Sequence, residues 1–360
     1  MVFEKPTIAG KILPSIERAK DFGFKEKIDA DGIREIITIG NERRGGCPFS
    51  CPGCGVHDEV FLVSDSSNRM YMQEALNILK IKLSQRREQF KANGYHPCIY
   101  NQGNTTNKEE LSRDNLAFLL RGLSELDPLP EYVSLNSRGA FIDSELLDEI
   151  NRLGLPFGVH FIIGVESLTD KGSAMYGKKN IAQEIAKLFS VLQDSNRRPG
   201  QKQLFGIDAG FVFLPEFYLA EGETRQDKEK VKQGFISDVE VFIDQYVGKG
   251  VPARINLHPY YKIPSLPQED SCEAFTEFMT GVMALIVELR QINKKSSPEE
   301  KAALFIGLQD SGYGTDKWKD VFAVWGDVVD RLNALKDYDS EECFEIITEI
   351  IQIMEKDLVK

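Results

Sequence analysis

The chain has 360 residues, 42% hydrophobic and 28% charged, with a net charge of −12 and a pI near 5.1. That suffices for one large barrel or two smaller domains. It excludes a membrane span, which needs ~20 consecutive apolar residues, and an apolar signal core, so a soluble cytoplasmic protein is expected. The acidic balance also lacks the basic footprint of a nucleic-acid binder. Six cysteines in so long a chain make no disulfide scaffold; clustered thiols fit a reducing compartment where they can hold metal.

Residues 1–33 read as an N-terminal extension. Short β-rich runs then alternate with stretches of helical period. The expected strands cover 35–40, 97–102, 131–136, 157–166, 206–215 and 253–259. Expected helices fill the gaps at 72–93, stopped by Asn93-Gly94, then 112–123, 144–153, 180–194 and 226–247. Strands separated by helices imply parallel β-α units, and near-continuous apolar strands imply burial on both faces. The expected fold is therefore α/β, a partial (β/α)6 TIM-like barrel over 34–265. A mostly helical C-terminal extension over 266–360, with helices at 271–291, 316–335 and 341–358, is expected to pack on it. The polar loops at 220–225 and 294–301 are expected to be the most flexible parts.

The densest chemical signal follows the first strand. Cys47, Cys51 and Cys54 lie within eight residues, in Gly45-Gly46-Cys47-Pro48-Phe49-Ser50-Cys51-Pro52-Gly53-Cys54, with no fourth cysteine close by. Three thiolates on one loop can hold three corners of a cubane iron–sulfur cluster and leave the fourth iron open. A structural zinc site needs four protein ligands. The residues alone also fit zinc with His57 as an outside ligand, or a redox thiol pair. Other polar clusters end later strands, where barrel enzymes gather functional groups. They are Tyr100-Asn101-Gln102-Gly103-Asn104-Thr105, Ser134-Leu135-Asn136-Ser137-Arg138 and Gly164-Val165-Glu166-Ser167, with Gly177-Lys178-Lys179 beyond. Glu166 follows nine largely apolar residues, so its carboxylate needs a partner.

Across most of 34–262 these motifs resemble the radical S-adenosylmethionine (SAM) superfamily. The chain looks closest to the branch with the elongator catalytic subunit's radical SAM domain, the archaeosine radical SAM lyase and oxygen-independent coproporphyrinogen oxidase. The resemblance implies that Cys47, Cys51 and Cys54 bind a [4Fe-4S] cluster whose open iron is chelated by S-adenosyl-L-methionine. One electron then cleaves SAM to methionine and a 5′-deoxyadenosyl radical, which takes a hydrogen atom from substrate. Gly103 and Asn104 fall where the family meets the SAM amino group. Asn136 and Arg138 fall in its Ser-Ile-Glu-Thr-Arg-Pro type segment. Glu166 is similar to the position near the SAM ribose, and Lys178 to the basic position near the SAM carboxylate, which Arg138 could also pair. The chain departs from the family at Gly53, where a bulky residue usually precedes the third cysteine, and at Asn136, where close relatives often carry Glu.

Candidate substrate groups come later: Asp208, Glu216, His258 to order substrate, and Tyr260 or Tyr313 to relay a hydrogen atom. Cys98, Cys272 and Cys343 are isolated and read as small buried hydrophobes. No second cysteine cluster accompanies the first, so an auxiliary cluster is not expected. The leading expectation is a radical SAM enzyme acting on a small-molecule or peptide substrate, with an electron donor such as flavodoxin or ferredoxin and no membrane partner. The relatives suggest tRNA modification as the alternative, which the acidic charge does not favour. A module that metal merely stabilises is the non-enzymatic reading.

Overall fold

The computed structural model describes residues 25–43, 63–101, 103–178, 180–198, 204–220, 227–259, 271–295, 301–307 and 319–357. Its strands are β1 (Lys25–Asp29), β2 (Gly32–Thr38), β3 (Tyr95–Tyr100), β4 (Tyr132–Ser137), β5 (Gly158–Glu166), β6 (Phe205–Phe213), β7 (Ala253–Pro259) and β8 (Ala303–Ile306). They form one eight-stranded sheet in chain order. β1 and β2 are an antiparallel hairpin, and every later pairing is parallel. The hairpin turns at Gly32, whose φ of 120° is unfavourable for a residue with a side chain.

The helices are α1 (Asp65–Gln85), α2 (Arg87–Asn93), α3 (Arg113–Leu123), α4 (Ser144–Arg152), α5 (Asp170–Met175), α6 (Ile181–Asn196) and α7 (Lys228–Tyr246). After them come α8 (Ser271–Asn293), α9 (Lys319–Ala334) and α10 (Glu341–Asp357). Side-chain oxygens of Ser64, Ser112 and Asp143 cap α1, α3 and α4, each accepting from a backbone N–H in the first turn. Among the described residues no helix is long and apolar enough to cross a membrane.

Successive side chains of a strand face opposite ways. One set, including Ile37, Ile99, Leu135, Phe161, Ile207 and Ile255, joins the helices in the apolar core. Full burial of each such side chain contributes about 1.5–3 kcal/mol. The other set faces the concave side and includes the polar Arg34, His96, Tyr132, His160, Asp208 and Arg254. Contacts across this concave side show how far the sheet curls. The Arg34 guanidinium on β2 lies 4.5 Å from the ring centroid of Phe305 on β8. Arg254 on β7 reaches Asp29 on β1 and Tyr132 on β4. β1 and β8 do not pair, and α9 touches both, covering the two sheet edges.

Six parallel strands were expected, and the sheet has eight. β1 is antiparallel and lies within 1–33, while β8 lies within 266–360, so the sheet extends beyond the expected core at both ends. Their sequences explain the discrepancy. Lys25-Glu26-Lys27-Ile28-Asp29 carries no apolar run, and β8 has only four residues. The helix expected at 72–93 is two helices that divide at Arg86, whose backbone leaves the helical region at φ −124° and ψ 25°.

Candidate functional site

Cys47, Cys51 and Cys54 lie outside the described residues, as does His57. The two ends of their segment are described. Asn41, Glu42 and Arg43 lead into it from the C-terminal end of β2, and Val63 leads out. The Val63 amide donates to the Asn41 carbonyl at 3.0 Å, so the segment leaves and returns at one point on the sheet's C-terminal rim. The Glu42 carboxylate fixes that point to two helices. It accepts from Asn68 Nδ2 at 2.8 Å, Asn115 Nδ2 at 2.7 Å and the Ser112 amide at 2.7 Å. Asn68 in turn brackets Gly40, accepting from its amide at 3.1 Å and donating to its carbonyl at 3.0 Å.

Next to this frame, after β3, the Glu110 carboxylate is fully buried and organises the turn that carries Gly103 and Asn104. It accepts from Asn41 Nδ2 at 3.0 Å, the Asn104 amide at 2.9 Å, Asn104 Nδ2 at 2.8 Å and Asn107 Nδ2 at 2.8 Å. Four donors around one carboxylate satisfy it without a cation. A side chain at Gly103 would run into that carboxylate. Asn136 Nδ2 donates to the Gly103 carbonyl at 2.5 Å, and the Arg138 amide donates to Asn104 Oδ1 at 2.9 Å. The structure thus brings together Gly103, Asn104, Asn136 and Arg138, which the sequence marked separately. It also accounts for asparagine at 136: a glutamate carboxylate has no hydrogen to give the Gly103 carbonyl. Asn101, 0% exposed beside this turn, leaves both side-chain amide atoms without a partner among the described residues.

At the end of β5, Glu166 and Lys178 form an ion pair, with Nζ 2.7 Å from Oε1. The same ammonium donates to the Gly164 carbonyl. Glu166 has φ 62°, and the β5–β6 register shifts between Gly164 and Glu166. Such a backbone costs about 1–3 kcal/mol and persists where the surroundings enforce it. Here Asp238 on α7 does so. It accepts from Ser167 Oγ at 2.5 Å, the Leu168 amide at 2.8 Å and the Tyr218 hydroxyl at 3.1 Å. A Cβ at Gly164 would stand 2.7 Å from Lys178 Nζ, so only glycine leaves the pair its room. Lys179 lies outside the described residues.

Below the rim the concave face holds a stacked column. His96 and Tyr132 lie 4.6 Å apart at 21°, and Tyr132 and His160 4.0 Å apart at 16°. Arg254 ties the column to Asp29 and Asp31. Burial pushes the Asp29 carboxyl up, but Arg254, His96 and Arg34 outweigh it and hold it well below the usual carboxylate range. His258 faces the same space from β7. A Cβ at Gly307 would meet its ring at 2.5 Å, and one at Gly210 would lie 3.8 Å from its Nε2. Tyr260 and Tyr313 lie outside the described residues.

Cys98 also faces the column, with Arg34 Nε 3.1 Å from its sulfur. Burial pushes its thiol up to about 12, Arg34 only partly opposing this. Alkylation requires the thiolate. Native protein at mildly alkaline pH is therefore expected to leave Cys98 unlabelled by iodoacetamide, and denatured protein to label fully. Site-resolved peptide mass spectrometry reads this. The sign follows from the raised value: the fold prefers the protonated thiol, and that preference begins to cost stability above about 8.5, where the unfolded thiol ionises. Rapid labelling of the native chain would contradict this.

Glu110, Asp238 and His160 escaped the sequence reading. Only His160 had a legible signal, a polar residue inside the apolar run Val159-His160-Phe161-Ile162-Ile163.

No protein-family model matches the chain, and no curated protein matches it. Solved structures resemble it, among them two. One is SuiB of Streptococcus suis, at 10% identity and a TM-score of 0.43, over 84% of this chain and 53% of that one. The other is the radical S-adenosylmethionine methyltransferase TsrM from Kitasatospora setae with cobalamin and [4Fe-4S] cluster bound, at 13% identity and a TM-score of 0.33. That match covers 62% of this chain and 36% of TsrM. The chain therefore spans about half the length of the first and about a third of the second.

Proposed function

We propose that the chain is a radical SAM enzyme with one [4Fe-4S] cluster, abstracting hydrogen from a small-molecule or peptide substrate. One observation carries the reading: a CxxxCxxC segment leaves and re-enters the rim at the C-terminal end of the first parallel strand of a curled β/α sheet. The donor set fits the two cofactors. Three cysteines suit a cluster with one open iron. The Asn101 amide, unpartnered among the described residues, the Glu166 carboxylate and the Lys178 ammonium suit a nucleoside bearing an ammonium, a carboxylate and ribose hydroxyls.

When bound, the cluster supplies the electron that cleaves SAM to methionine and a 5′-deoxyadenosyl radical. Cys47, Cys51 and Cys54 would hold it. Gly103 and Asn104 offer backbone groups toward the SAM amino group, on a turn that Glu110 keeps in shape. Lys178 and Arg138 bring positive charge for the SAM carboxylate, and Glu166 accepts from the ribose hydroxyls. The strained Glu166 backbone aims that carboxylate. The curled sheet shields the reacting space from water, which protects reactive intermediates. An electron donor such as flavodoxin or ferredoxin would reduce the cluster.

Glu166→Ala is expected to weaken SAM binding roughly tenfold or more, the loss of a charge-assisted hydrogen bond of about 1.5–3 kcal/mol, while iron content stays near that of the parent. Calorimetric titration of the reconstituted protein with SAM measures this, and an unchanged affinity would remove Glu166 from the site. The function itself is tested by anaerobic reconstitution with iron and sulfide, then SAM and dithionite. A brown protein that forms 5′-deoxyadenosine supports the reading. A colourless protein holding one tight zinc ion would replace it with a metal-stabilised module.

A further inference from the structure

Whatever substrate enters the curled sheet meets His160. Along β5 the inward residues Gly158, His160, Ile162, Gly164 and Glu166 are partly exposed, while Val159, Phe161, Ile163 and Val165 between them are buried. The concave face is therefore open down to this imidazole, whose side chain is 12% exposed. Its Nδ1 lies 3.1 Å from Oδ1 of Asp208, which is fully buried and accepts from Ser134 Oγ at 2.9 Å through its other oxygen. An ionised carboxylate only accepts, so in the neutral ring the hydrogen sits on Nδ1 and Nε2 keeps its lone pair. Nε2 has no partner among the described residues.

Both faces of the ring are lined. Tyr132 stacks on the first, and Gly206 faces the second, where a Cβ would stand 2.5 Å from Nε2. His96 at the column's far end contrasts with it: fully buried, with Nε2 3.0 Å from Asp29. A second observation points into the same space. Asn256, 2% exposed on the inward face of β7, leaves its side-chain oxygen buried and unpaired among the described residues. In the sheet register it aligns with Gly210 on β6, and Gly210 with Gly164 on β5, two positions that hold no side chain. The charges decide what suits this space. At His160 the paired charge is the Asp208 carboxylate, and Arg254 is already engaged by Asp29 and the Tyr132 hydroxyl, so a neutral group suits this spot better than an anion.

We infer that the substrate presents a hydrogen-bond donor, a hydroxyl or an amide N–H, to Nε2 of His160, an inference that rests on the enzyme reading above for what enters the lumen. Asp208, Ser134 and Tyr132 position the imidazole. Gly206, having no side chain, leaves the ring its room.

The test is a titration of the full chain labelled with ¹⁵N-histidine, read by long-range proton–nitrogen spectra at mildly alkaline pH. The probes are isopropanol, N-methylacetamide and sodium acetate, and His160→Gln assigns the resonance. Nε2 is expected to appear unprotonated and to shift saturably with isopropanol or N-methylacetamide; the stronger of the two tells hydroxyl from amide. Acetate is expected to leave it unmoved. Asp208→Asn, which presents an N–H to the ring, is expected to move the hydrogen to Nε2 and abolish the response. A protonated Nε2 in the parent chain, a resonance that neither donor moves, or a saturable shift with acetate would overturn the inference. Iron content and SAM cleavage of the same preparation are read in parallel. A failed titration with intact cleavage overturns the substrate assignment alone; a chain that takes the probes yet holds no iron overturns the enzyme reading, and this inference with it.

Discussion

Cys51→Ala is expected to purify with little iron and to form no detectable 5′-deoxyadenosine. Removing a direct ligand should cost far more than the roughly 10–100-fold that disturbing an outer partner of a metal costs. Two thiolates cannot hold three corners of a cubane cluster. Among the described residues there is no group of three His, Cys, Asp or Glu side chains able to hold a metal ion. Cys98 is buried against Arg34, and burial keeps it protonated. The fold is expected to survive, because the segment's ends are fixed by Glu42, Asn68 and the Val63–Asn41 hydrogen bond rather than by the cysteines. Iron analysis, chromatography for the nucleoside and a urea midpoint near that of the parent check all three statements. A variant that keeps its iron and its cleavage would mean Cys51 is not a ligand.

Arg254→Ala is expected to cost about 3–5 kcal/mol of stability, the usual penalty for leaving one partner of a buried ion pair alone. Arg254 joins β7 to the β1–β2 hairpin through Asp29 and Asp31, and to β4 through Tyr132, across the mouth of the curl. Without the guanidinium, burial of the Asp29 carboxylate is opposed only by His96 and Arg34. The pH dependence follows. In the parent, the depressed value of Asp29 contributes stability above the unfolded carboxylate value of about 3.9, and that contribution fades as the pH falls through the lower folded value. In the variant, loss of Arg254 raises Asp29 above its value in the parent, so protonating it on acidification relieves a poorly paired charge. The deficit should therefore be largest at neutral pH and shrink as the pH approaches 4, roughly the carboxylate range. Urea denaturation of both proteins at several pH values measures it. A deficit below about 1 kcal/mol, or one independent of pH, would contradict the argument.

Strands β2 to β7 were legible because each is a run of apolar residues closed by a polar cluster. Only one face of those strands is buried by apolar side chains throughout. The outward half, such as Phe161 and Ile207, packs on helices, while the inward half includes Arg34, His96, His160, Asp208 and Arg254. These polar residues fall one to a strand between outward apolar neighbours, and glycines such as Gly164, Gly206 and Gly210 fill other inward positions, so they do not break the apolar look of the sequence. β1 was hidden by its charges and β8 by its brevity.

At the site, strand-end clusters were legible because parallel β-α topology sends every strand end to one rim. Their mutual contacts were not. That Lys178 meets Glu166, and that Asn136 meets Gly103, depends on how the β5 bulge and the turn after β3 bend. Glu110 and Asp238 were invisible for a different reason. Each is one acidic residue in a helical or polar stretch, and only the fold turns a set of backbone and amide donors toward it.

Electron paramagnetic resonance of the anaerobically reconstituted, dithionite-reduced chain, recorded with and without SAM, addresses the cluster and its open iron together. The expected result is about four irons per chain, a single reduced [4Fe-4S] signal, and resonance positions that move when SAM is added. A full complement of iron with a spectrum indifferent to SAM would contradict the account.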